Sequence, residues 1–368
     1  MKIGLCGFGV VGRGVYEIVQ KRPDMHVSKV LCLEDIHLED AQAVKDFSSI
    51  AEDPEIDTVV EAMGGLHPSY DFVSAALKAG KNVVSSNKAM MCTFYDELIP
   101  LAVSKGVSLR CTAAVGGGIG WLSELERARR VQKLKKVGGI MNGTCNYILD
   151  NMTRFGMGYD EALKQAQRLG YAEANPSTDV DGIDTWHKLI LSSNIAFGVS
   201  LDSSTVPVAG IRNITAADVE CFKAHGKVCK LISTGEMKED GISAYVQPTL
   251  VDAGSPEGAV PLNYNLITFI GETSERMSFY GQGAGRYPTA YNVVQDLVDV
   301  LSGKSFYAPY GKPQAADNQD THSYYVRGGA FGSVKEDWGA GVITEPIPVS
   351  EMHRWLKENP DAFIAAAD

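Results

Sequence analysis

The sequence predicts an α/β protein in which an N-terminal doubly wound parallel sheet is followed by a second, α+β domain. Three observations lead to this fold class. Short apolar runs typical of strands alternate with segments of helical period throughout residues 1–112. A glycine-rich turn joins the first strand to the first helix. The chain of 368 residues is also too long for one domain of ~100–200 residues, so a second domain should follow.

The first domain contains four predicted strands and the helices between them. Residues 1–6 form an apolar first strand, and Val15, Ile18 and Val19 recur at helical spacing after it. The segment 26–33, rich in β-branched and apolar residues, predicts the second strand. The alternation continues with predicted strands at 58–62 and 82–85 and a helix at 69–79. Because such alternation builds right-handed crossovers, these strands should form one parallel sheet.

The pattern changes after Val107, where glycines at 116–118 precede a new strand at 137–141. We therefore divide the chain into residues 1–112, a crossover segment 113–139, a second domain 140–288 and a C-terminal segment 289–368. Further helices are predicted at 122–130, 159–169, 183–196, 290–301 and 350–358. We expect the second domain to be an open sheet backed by helices, and the helix 290–301 to return to the first domain.

Composition and charge exclude several classes of protein. A hydrophobic content of 45% with 21% charged residues is typical of a folded globular chain. The net charge of −11 argues against binding to nucleic acids or anionic membranes, which requires a basic surface. The sequence has no apolar run near the ~20 residues of a membrane span and no signal-peptide pattern. Its seven cysteines lack C-x-x-C spacing, so we expect buried thiols in a cytoplasmic protein.

The turn after the first strand reads Gly7-Phe8-Gly9-Val10-Val11-Gly12. A dinucleotide pyrophosphate needs backbone N–H groups and a helix N-terminus close by, which demands glycine at the turn, at the approach point and at the helix–strand contact. Gly7, Gly9 and Gly12 occupy those three places. Their position between a strand and a helix, within a β-α-β run, indicates a Rossmann-type NAD(P)-binding domain. The alternative is a tight turn with no ligand.

The end of the second strand bears on the choice between NAD and NADP. An acidic residue there hydrogen-bonds the ribose 2′-hydroxyl of NAD and repels the 2′-phosphate of NADP. The sequence offers Leu33, Glu34 and Asp35, with no basic residue in that run. We therefore expect NAD to be preferred, with NADP still usable. The alternative is that Glu34 and Asp35 belong to a solvated turn.

The segment 169–188 concentrates charge before and inside an apolar helix. Glu173 and Asp179 precede that helix, and Asp184 and Lys188 stand four residues apart, on one helix face. A lysine beside carboxylates can transfer a proton to a carbonyl oxygen as hydride arrives, and carboxylates can bind a substrate ammonium group. The alternative for the Asp184 and Lys188 pair is a surface salt bridge of roughly 0.2–0.5 kcal/mol.

Seven motifs in this order resemble the homoserine dehydrogenase family over residues 1–302. They are GFGVVG at 7–12, EAMGG at 61–65, SSNKAM at 85–90, AAVGGGI at 113–119, GIMNGTCNYIL at 139–149, GYAEANPSTDVDGIDTWHK at 170–188 and GQGAGRYPTA at 281–290. The resemblance implies interconversion of L-homoserine and L-aspartate 4-semialdehyde with NAD or NADP. It also implies a Rossmann domain, a catalytic domain, and a homodimer or dimer of dimers, with a dimerisation role for 113–139.

The resemblance assigns roles to individual residues. Lys188 matches the proton donor, Asp184 the catalytic and substrate-binding aspartate, and Glu173 a homoserine ligand. Lys88 matches a second lysine, beside the cofactor and the reacting carbon. The residues implied to line the substrate site are Asp179, Asn142, Gly143 and Thr144. Those implied to line the cofactor site, besides the glycine turn, are Glu34, Gly64, Lys88 and Gly285.

A monovalent-cation site is also implied by the resemblance. The backbone carbonyls of Thr112, Val115, Gly117 and Ile119 match its ligands, and the cation would be one such as Na⁺. The alternative is an ordinary glycine-rich crossover that binds no ion.

The sequence departs from the family pattern at several positions. Leu33 replaces an arginine, in agreement with a preference for NAD. Trp186, which we interpret as a packing residue, stands where a small residue is usual, and Arg286 and Tyr287 replace a smaller pair, so these residues would reshape the pocket. The segment after residue 302 is too short for a regulatory ACT domain, so threonine feedback through such a domain is not expected.

Two other functions stay open on the sequence alone. One is a related NAD-dependent oxidoreductase that acts on a different amino-acid alcohol or aldehyde. The other is a dinucleotide sensor without catalytic activity, although the presence of Lys88, Glu173, Asp184 and Lys188 argues against it.

Overall fold

The computed structural model describes residues 1–304, 312–329 and 331–368. The chain divides into two compact units. Of the described residues, 1–127, 198–200, 282–304 and 312 form the first unit, and 128–197, 201–281, 313–329 and 331–368 form the second. The boundaries expected at 112, 139 and 288 do not coincide with this division. Residues 113–127 belong to the first unit, where Gly117 packs so closely on Gly283 that a Cβ would lie 2.6 Å from its carbonyl.

The described residues form strands and helices with the following bounds. The strands are β1 (Lys2–Cys6), β2 (His26–Leu31), β3 (Gln42–Val44), β4 (Thr58–Glu61), β5 (Asn82–Ser85), β6 (Leu109–Arg110), β7 (Leu134–Ile140), β8 (Ser200–Leu201), β9 (Lys227–Met237), β10 (Ile242–Asp252), β11 (Tyr264–Gly271), β12 (Glu275–Gln282), β13 (Pro313–Gln314), β14 (Thr321–His322), β15 (Tyr324–Arg327), β16 (Val334–Asp337), β17 (Val342–Thr344), β18 (Ile347–Pro348) and β19 (Phe363–Ala366). The helices are α1 (Val10–Val19), α2 (Ser48–Ala51), α3 (Ser69–Lys78), α4 (Lys88–Thr93), α5 (Tyr95–Lys105), α6 (Trp121–Arg129), α7 (Gly143–Phe155), α8 (Tyr159–Arg168), α9 (Ser177–Val180), α10 (Ile183–Phe197), α11 (Ala216–Ala224), α12 (Arg286–Leu301) and α13 (Val349–Glu358). Short 3₁₀ turns lie at Thr112–Ala114 and Ser203–Thr205.

The first unit contains a parallel sheet with strand order β3-β2-β1-β4-β5-β6. This order confirms the predicted doubly wound sheet. The chain leaves β1 toward β2 on one side and returns to β4 on the other, so the order reverses between β1 and β4. Ligands of such sheets bind outside the carboxyl ends of the strands at this reversal. The glycine turn follows β1 at that point.

The core of the first unit is shared by β1, α1 and α12. Val15 and Val19 of α1 are buried against Ile3 and Leu5 of β1, as the helical spacing predicts. The residues that α12 adds to the same cluster are Ala290, Val293, Val294 and Leu297. Burying each such aliphatic side chain larger than alanine is worth about 1.5–3 kcal/mol. Helix α12, which we expected to return to the first domain, thus contributes to the core of the first unit.

The second unit contains a nine-stranded sheet with order β12-β11-β7-β9-β10-β19-β15-β17-β16. The pairs β11–β7, β7–β9 and β9–β10 are antiparallel, whereas β10 and β19 pair in parallel. Helices α7, α10 and α11 pack on this sheet, as expected for an α+β domain. Strands β15, β16, β17 and β19 extend this sheet, and β14 pairs with β18 in a separate two-stranded sheet. The sequence predicted only a helix in this region, observed as α13.

No described helix is both long enough and apolar enough to cross a membrane. Helix α12, with 16 residues, falls short of the ~20 residues that a span requires. It also carries the buried Asp296, whose carboxylate pairs with Arg110 at 3.0 Å.

Candidate functional site

The three glycines of the turn at 7–12 have different structural roles. Gly7 has φ +94°, and a Cβ there would lie 2.7 Å from the Ala62 carbonyl oxygen. A Cβ on Gly12 would lie 2.0 Å from the Gly7 carbonyl oxygen, so this residue permits the helix–strand contact. A Cβ on Gly9 would meet nothing within 4 Å. The turn is therefore closed on its protein side and open at Gly9, as close approach of a pyrophosphate requires.

A cavity of about 740 Å³ lies beside this turn. Gly7, Gly9 and Val10 line one part of it, and Glu34 and Phe72 line another. It therefore extends from the N-terminus of α1 to the end of β2, the path that a dinucleotide follows in this fold. The glycine geometry and this cavity both fit a nicotinamide dinucleotide.

Two basic residues that the sequence analysis missed approach Glu34. The Arg13 guanidinium lies 3.6 Å from the Glu34 carboxylate. Lys45 donates to the carbonyls of Leu33 and Glu34 at 2.7 and 2.8 Å, and it pairs with Asp35 at 2.9 Å. The run 33–35 is acidic in sequence, but in the folded chain two basic side chains, Arg13 and Lys45, lie next to it. Arg13 could have been recognised from the sequence, because it directly follows the glycine turn in the first turn of the predicted helix.

The motifs at 61–65 and 85–90 meet through buried hydrogen bonds. One oxygen of the buried Glu61 accepts from the backbone of Met63 and Gly64, and the other accepts from the Ser85 hydroxyl at 2.6 Å. Asn87 donates to the Gly65 carbonyl at 2.7 Å and caps α4. Lys88 is the first residue of that helix and is half-buried. The network therefore joins the segment of Gly64 to Asn87, the residue that precedes Lys88 at the start of α4.

In the second unit, Lys188 belongs to a buried polar cluster rather than to a surface salt bridge. Its ammonium lies 2.7 Å from the Asp184 carboxylate and donates to the Met141 carbonyl at 2.7 Å. The Asn142 amide donates to Asp184 at 2.8 Å and to Asp179 at 2.7 Å. Lys188 is 7% exposed and Asp184 is 5% exposed. The alternative interpretation of this pair as a solvated ion pair is therefore wrong.

The first turn of α7 completes this cluster. Asn142 caps the helix by accepting from the Cys145 backbone at 2.7 Å, and Thr144 donates to the Tyr171 carbonyl at 2.6 Å. Gly143 lies so close to the residue before β11 that a Cβ on it would be 2.5 Å from the Asn263 carbonyl oxygen. Burial and the nearby carboxylates raise the pKa of the Cys145 thiol, which stays protonated and donates to the Asp179 carbonyl.

Glu173 and Trp186 lie in different surroundings from this cluster. Glu173 is exposed on the segment after α8, where its main-chain carbonyl accepts from Gln167. The Trp186 indole donates to the Val206 carbonyl at 2.9 Å, as expected of a packing residue.

Asn265 is a buried polar residue of β11 that the sequence analysis missed. Its amide donates at 2.9 Å to the Met141 carbonyl, the oxygen that also accepts from Lys188. Its own Oδ1 is buried and accepts no hydrogen bond within the described residues. The only signal for it was an isolated asparagine in an apolar strand.

The carbonyls suggested as cation ligands lie around the turn at Thr112–Ala114. The Thr112 carbonyl accepts from the Val115 backbone at 3.4 Å, and the Gly117 carbonyl accepts from the Asn292 amide. The described part of the chain contains no cluster of three or more His, Cys, Asp or Glu side chains suited to a metal.

Comparisons with known proteins agree with this architecture. Family models described as "Homoserine dehydrogenase, NAD binding domain" and "Homoserine dehydrogenase" match residues 7–112 and 121–298. The homoserine dehydrogenase of Bacillus subtilis (strain 168) is 34% identical over 330 residues, covering 84% of this chain and 76% of that protein. That of Lactococcus lactis subsp. lactis (strain IL1403) is 36% identical over 343 residues, covering 86% and 79%. A solved homoserine dehydrogenase from Thiobacillus denitrificans superposes with a TM-score of 0.87 at 28% identity, covering 100% of this chain and 98% of that one. The chain belongs to the homoserine dehydrogenase family.

Proposed function

We propose that the protein interconverts L-homoserine and L-aspartate 4-semialdehyde with a nicotinamide dinucleotide. The observation that carries this proposal is the buried cluster of Lys188, Asp184, Asn142 and Asp179. Burying a charged pair costs desolvation free energy, so such pairs are found where they serve the chemistry or the specificity of the fold. The open glycine turn supplies the second requirement, a site for the cofactor.

Lys188 is the proposed proton donor in the direction of aldehyde reduction. Asp184 and the Met141 carbonyl take two of its three N–H groups, which leaves one for the carbonyl oxygen of a substrate. The bound nicotinamide supplies hydride to the carbonyl carbon or removes it from the alcohol. Lys188 gives its proton to the oxygen as the alcohol forms, and it takes that proton back in oxidation. Lys88 is proposed to assist beside the cofactor.

We propose that acidic side chains bind the amino-acid end of the substrate. Asp179, fixed by Asn142, and the exposed Glu173 would bind the ammonium group. Gly143 and Thr144 open α7, whose N-terminal N–H groups favour a carboxylate. Together these groups would distinguish an amino acid from a simple alcohol.

An initial-rate assay with L-homoserine, run in parallel with NAD and NADP, tests this function. We expect dinucleotide reduction that saturates with homoserine. Serine and 5-hydroxynorvaline, which place the hydroxyl one carbon nearer or farther, should react far more slowly. A faster rate with either compound would favour the related oxidoreductase instead, and no reduction with any of them would favour the non-catalytic sensor.

We propose that NAD is preferred and NADP is accepted. Glu34 lines the cavity and supports NAD, whereas Arg13 and Lys45 beside it supply charge that tolerates a 2′-phosphate. Replacing Glu34→Gln should therefore raise the ratio of kcat/KM for NADP over NAD about tenfold, because one unit of repulsion is lost. The matched control is Asp35→Asn, since Asp35 is fully exposed and pairs with Lys45. Equal ratios in all three proteins would contradict the role of Glu34.

We propose that the main-chain carbonyls of four residues coordinate a monovalent cation; these residues are Thr112, Val115, Gly117 and Ile119. Thr112 and Val115 are buried, and a hard cation prefers oxygen ligands of this kind. The Asn292 amide already occupies one lone pair of the Gly117 oxygen, so we propose a weakly bound ion. Equal rates and equal thermal stability in Na⁺ and tetramethylammonium salts of the same ionic strength would contradict this proposal.

A homodimer or dimer of dimers is the proposed assembly. The edge strand β12 exposes Met277 and Tyr280, and an unpaired edge with apolar side chains favours association. Sedimentation equilibrium measures the state directly, and a monomer at micromolar concentration would contradict it.

The cytoplasm is the proposed location. All seven cysteines are free thiols, four buried and three half-buried. Burial raises the pKa of Cys92, Cys111 and Cys229 to about 12 each, which keeps them protonated and unreactive. Cell fractionation tests this location.

A further inference from the structure

Arg286 lines the dinucleotide cavity together with Gly9 and Val10. It is the first residue of α12 and, in the sequence, stands out only as larger than the residue usual there. Nothing in the proposed reaction uses it. Its place beside the glycine turn raises the question of what its charge binds.

The structure holds the Arg286 side chain in a fixed position. Its guanidinium pairs with the Glu17 carboxylate of α1, and the Tyr287 hydroxyl donates to the other Glu17 oxygen at 2.9 Å. The guanidinium carbon also lies 5.5 Å from the centre of the Tyr287 ring. Gly14 makes room for it, since a Cβ there would lie 3.1 Å from the Arg286 Cγ. An arginine oriented in this way loses little conformational entropy when it binds a ligand.

Part of the hydrogen-bonding capacity of Arg286 is unused. Its Nε is buried and donates to no acceptor in the described part of the chain. A guanidinium has five N–H donors, and leaving a buried donor unsatisfied is unfavourable. An anion in the cavity that Arg286 lines would accept hydrogen bonds from its guanidinium, and the N-terminus of α1 is open at Gly9 to receive one.

We propose that Arg286 binds the pyrophosphate of the dinucleotide, opposite the backbone N–H groups of the glycine turn. This inference rests on the proposed dinucleotide site. The pyrophosphate is favoured over a 2′-phosphate because the ribose end, marked by Glu34, has its own cations in Arg13 and Lys45. Arg286 instead approaches α1 through Gly14 and Glu17. Glu17 orients it without taking all of its donors.

The test is the variant Arg286→Gln, with dissociation constants for NAD, NADP and ADP-ribose measured by calorimetry. Hydrogen bonds to charged groups are worth about 1.5–3 kcal/mol, so binding of all three should weaken by about ten- to hundredfold. The dependence of NAD affinity on salt concentration should also become shallower. The control Arg22→Gln removes an arginine of the same unit that pairs with Asp24 and does not line this cavity. It should leave the affinity for all three ligands within about twofold.

Several results would overturn the inference. If a folded Arg286→Gln protein bound NAD and ADP-ribose with unchanged affinity, the role of Arg286 would be structural, as the residue that links α12 to α1 through Glu17. Weakening of NADP alone would assign it to the 2′-phosphate. If this variant does not fold, Arg286→Lys keeps the charge but not the fork of donors, and it should show an intermediate loss; unchanged affinity there would count against the proposal. Failure of the unmodified protein to bind NAD would instead overturn the dinucleotide site itself.

Discussion

Replacing Lys188→Met should lower kcat for homoserine oxidation by about 10²–10⁴-fold and leave the dissociation constant for NAD unchanged. General acid–base groups contribute rate factors of this size. Lys188 is buried, and its position is fixed by Asp184 and the Met141 carbonyl, so no mobile surface group can replace it. NAD affinity should persist because the glycine turn lies in a different part of the chain.

The controls separate a chemical role from a structural one. Removing Lys188 leaves the Asp184 carboxylate buried without its cation, which typically costs about 3–5 kcal/mol. The double variant Lys188→Met with Asp184→Asn removes both charges and should recover stability without recovering activity. Lys223→Met, which breaks an exposed pair with Glu220, should behave like the unmodified protein. Activity within about tenfold of normal in a folded Lys188→Met protein would reject the assignment.

The parts of the fold that the sequence predicts correctly are set by local patterns. The predicted helices at 69–79, 159–169 and 183–196 agree with α3, α8 and α10 to within one residue at either end. Their apolar spacing and flanking residues are contained within the segment itself. The helix expected from 290 begins earlier, at Arg286, because Pro288 is tolerated in a first turn.

The features that the sequence does not predict depend on contacts between distant residues. Lys45 reaches Glu34 only because β3 pairs beside β2, and β3 is three residues long. The strands β13 to β18 have two to four residues each, too short for an alternating pattern to be recognised. Asn265 and Met141 are 124 residues apart, so their hydrogen bond follows from the pairing of β11 with β7.

The site residues divide in the same way. Asp184 and Lys188 could be paired from spacing alone, but their burial depends on the segments that cover them. Asn142 comes from a strand end 42 residues earlier and is the residue that joins Asp184 to Asp179. The exposure of Glu173 could not be anticipated either, because its segment has no periodic pattern.

Replacing Gly9→Val should abolish most dinucleotide binding and leave the fold intact, whereas Gly12→Val should destabilise the fold itself. The backbone at Gly9 has φ −77° and ψ −153°, which any L-residue adopts, and a Cβ there meets only open space. The added methyl groups would keep a pyrophosphate from the backbone N–H groups of α1, so the dissociation constant for NAD should rise by at least about tenfold.

At Gly12 a Cβ would lie 2.0 Å from the Gly7 carbonyl oxygen, so the turn would have to move. Such overpacking typically costs about 1–3 kcal/mol, and here the obstacle is backbone rather than a flexible side chain. Thermal unfolding and NAD titration of both variants check the contrast. A Gly9→Val protein that binds NAD normally would show that the open side of the turn is not where the cofactor lies. A Gly12→Val protein of normal stability would show that the contact between α1 and β1 can relax, which the burial of Val15 and Leu5 in one cluster argues against.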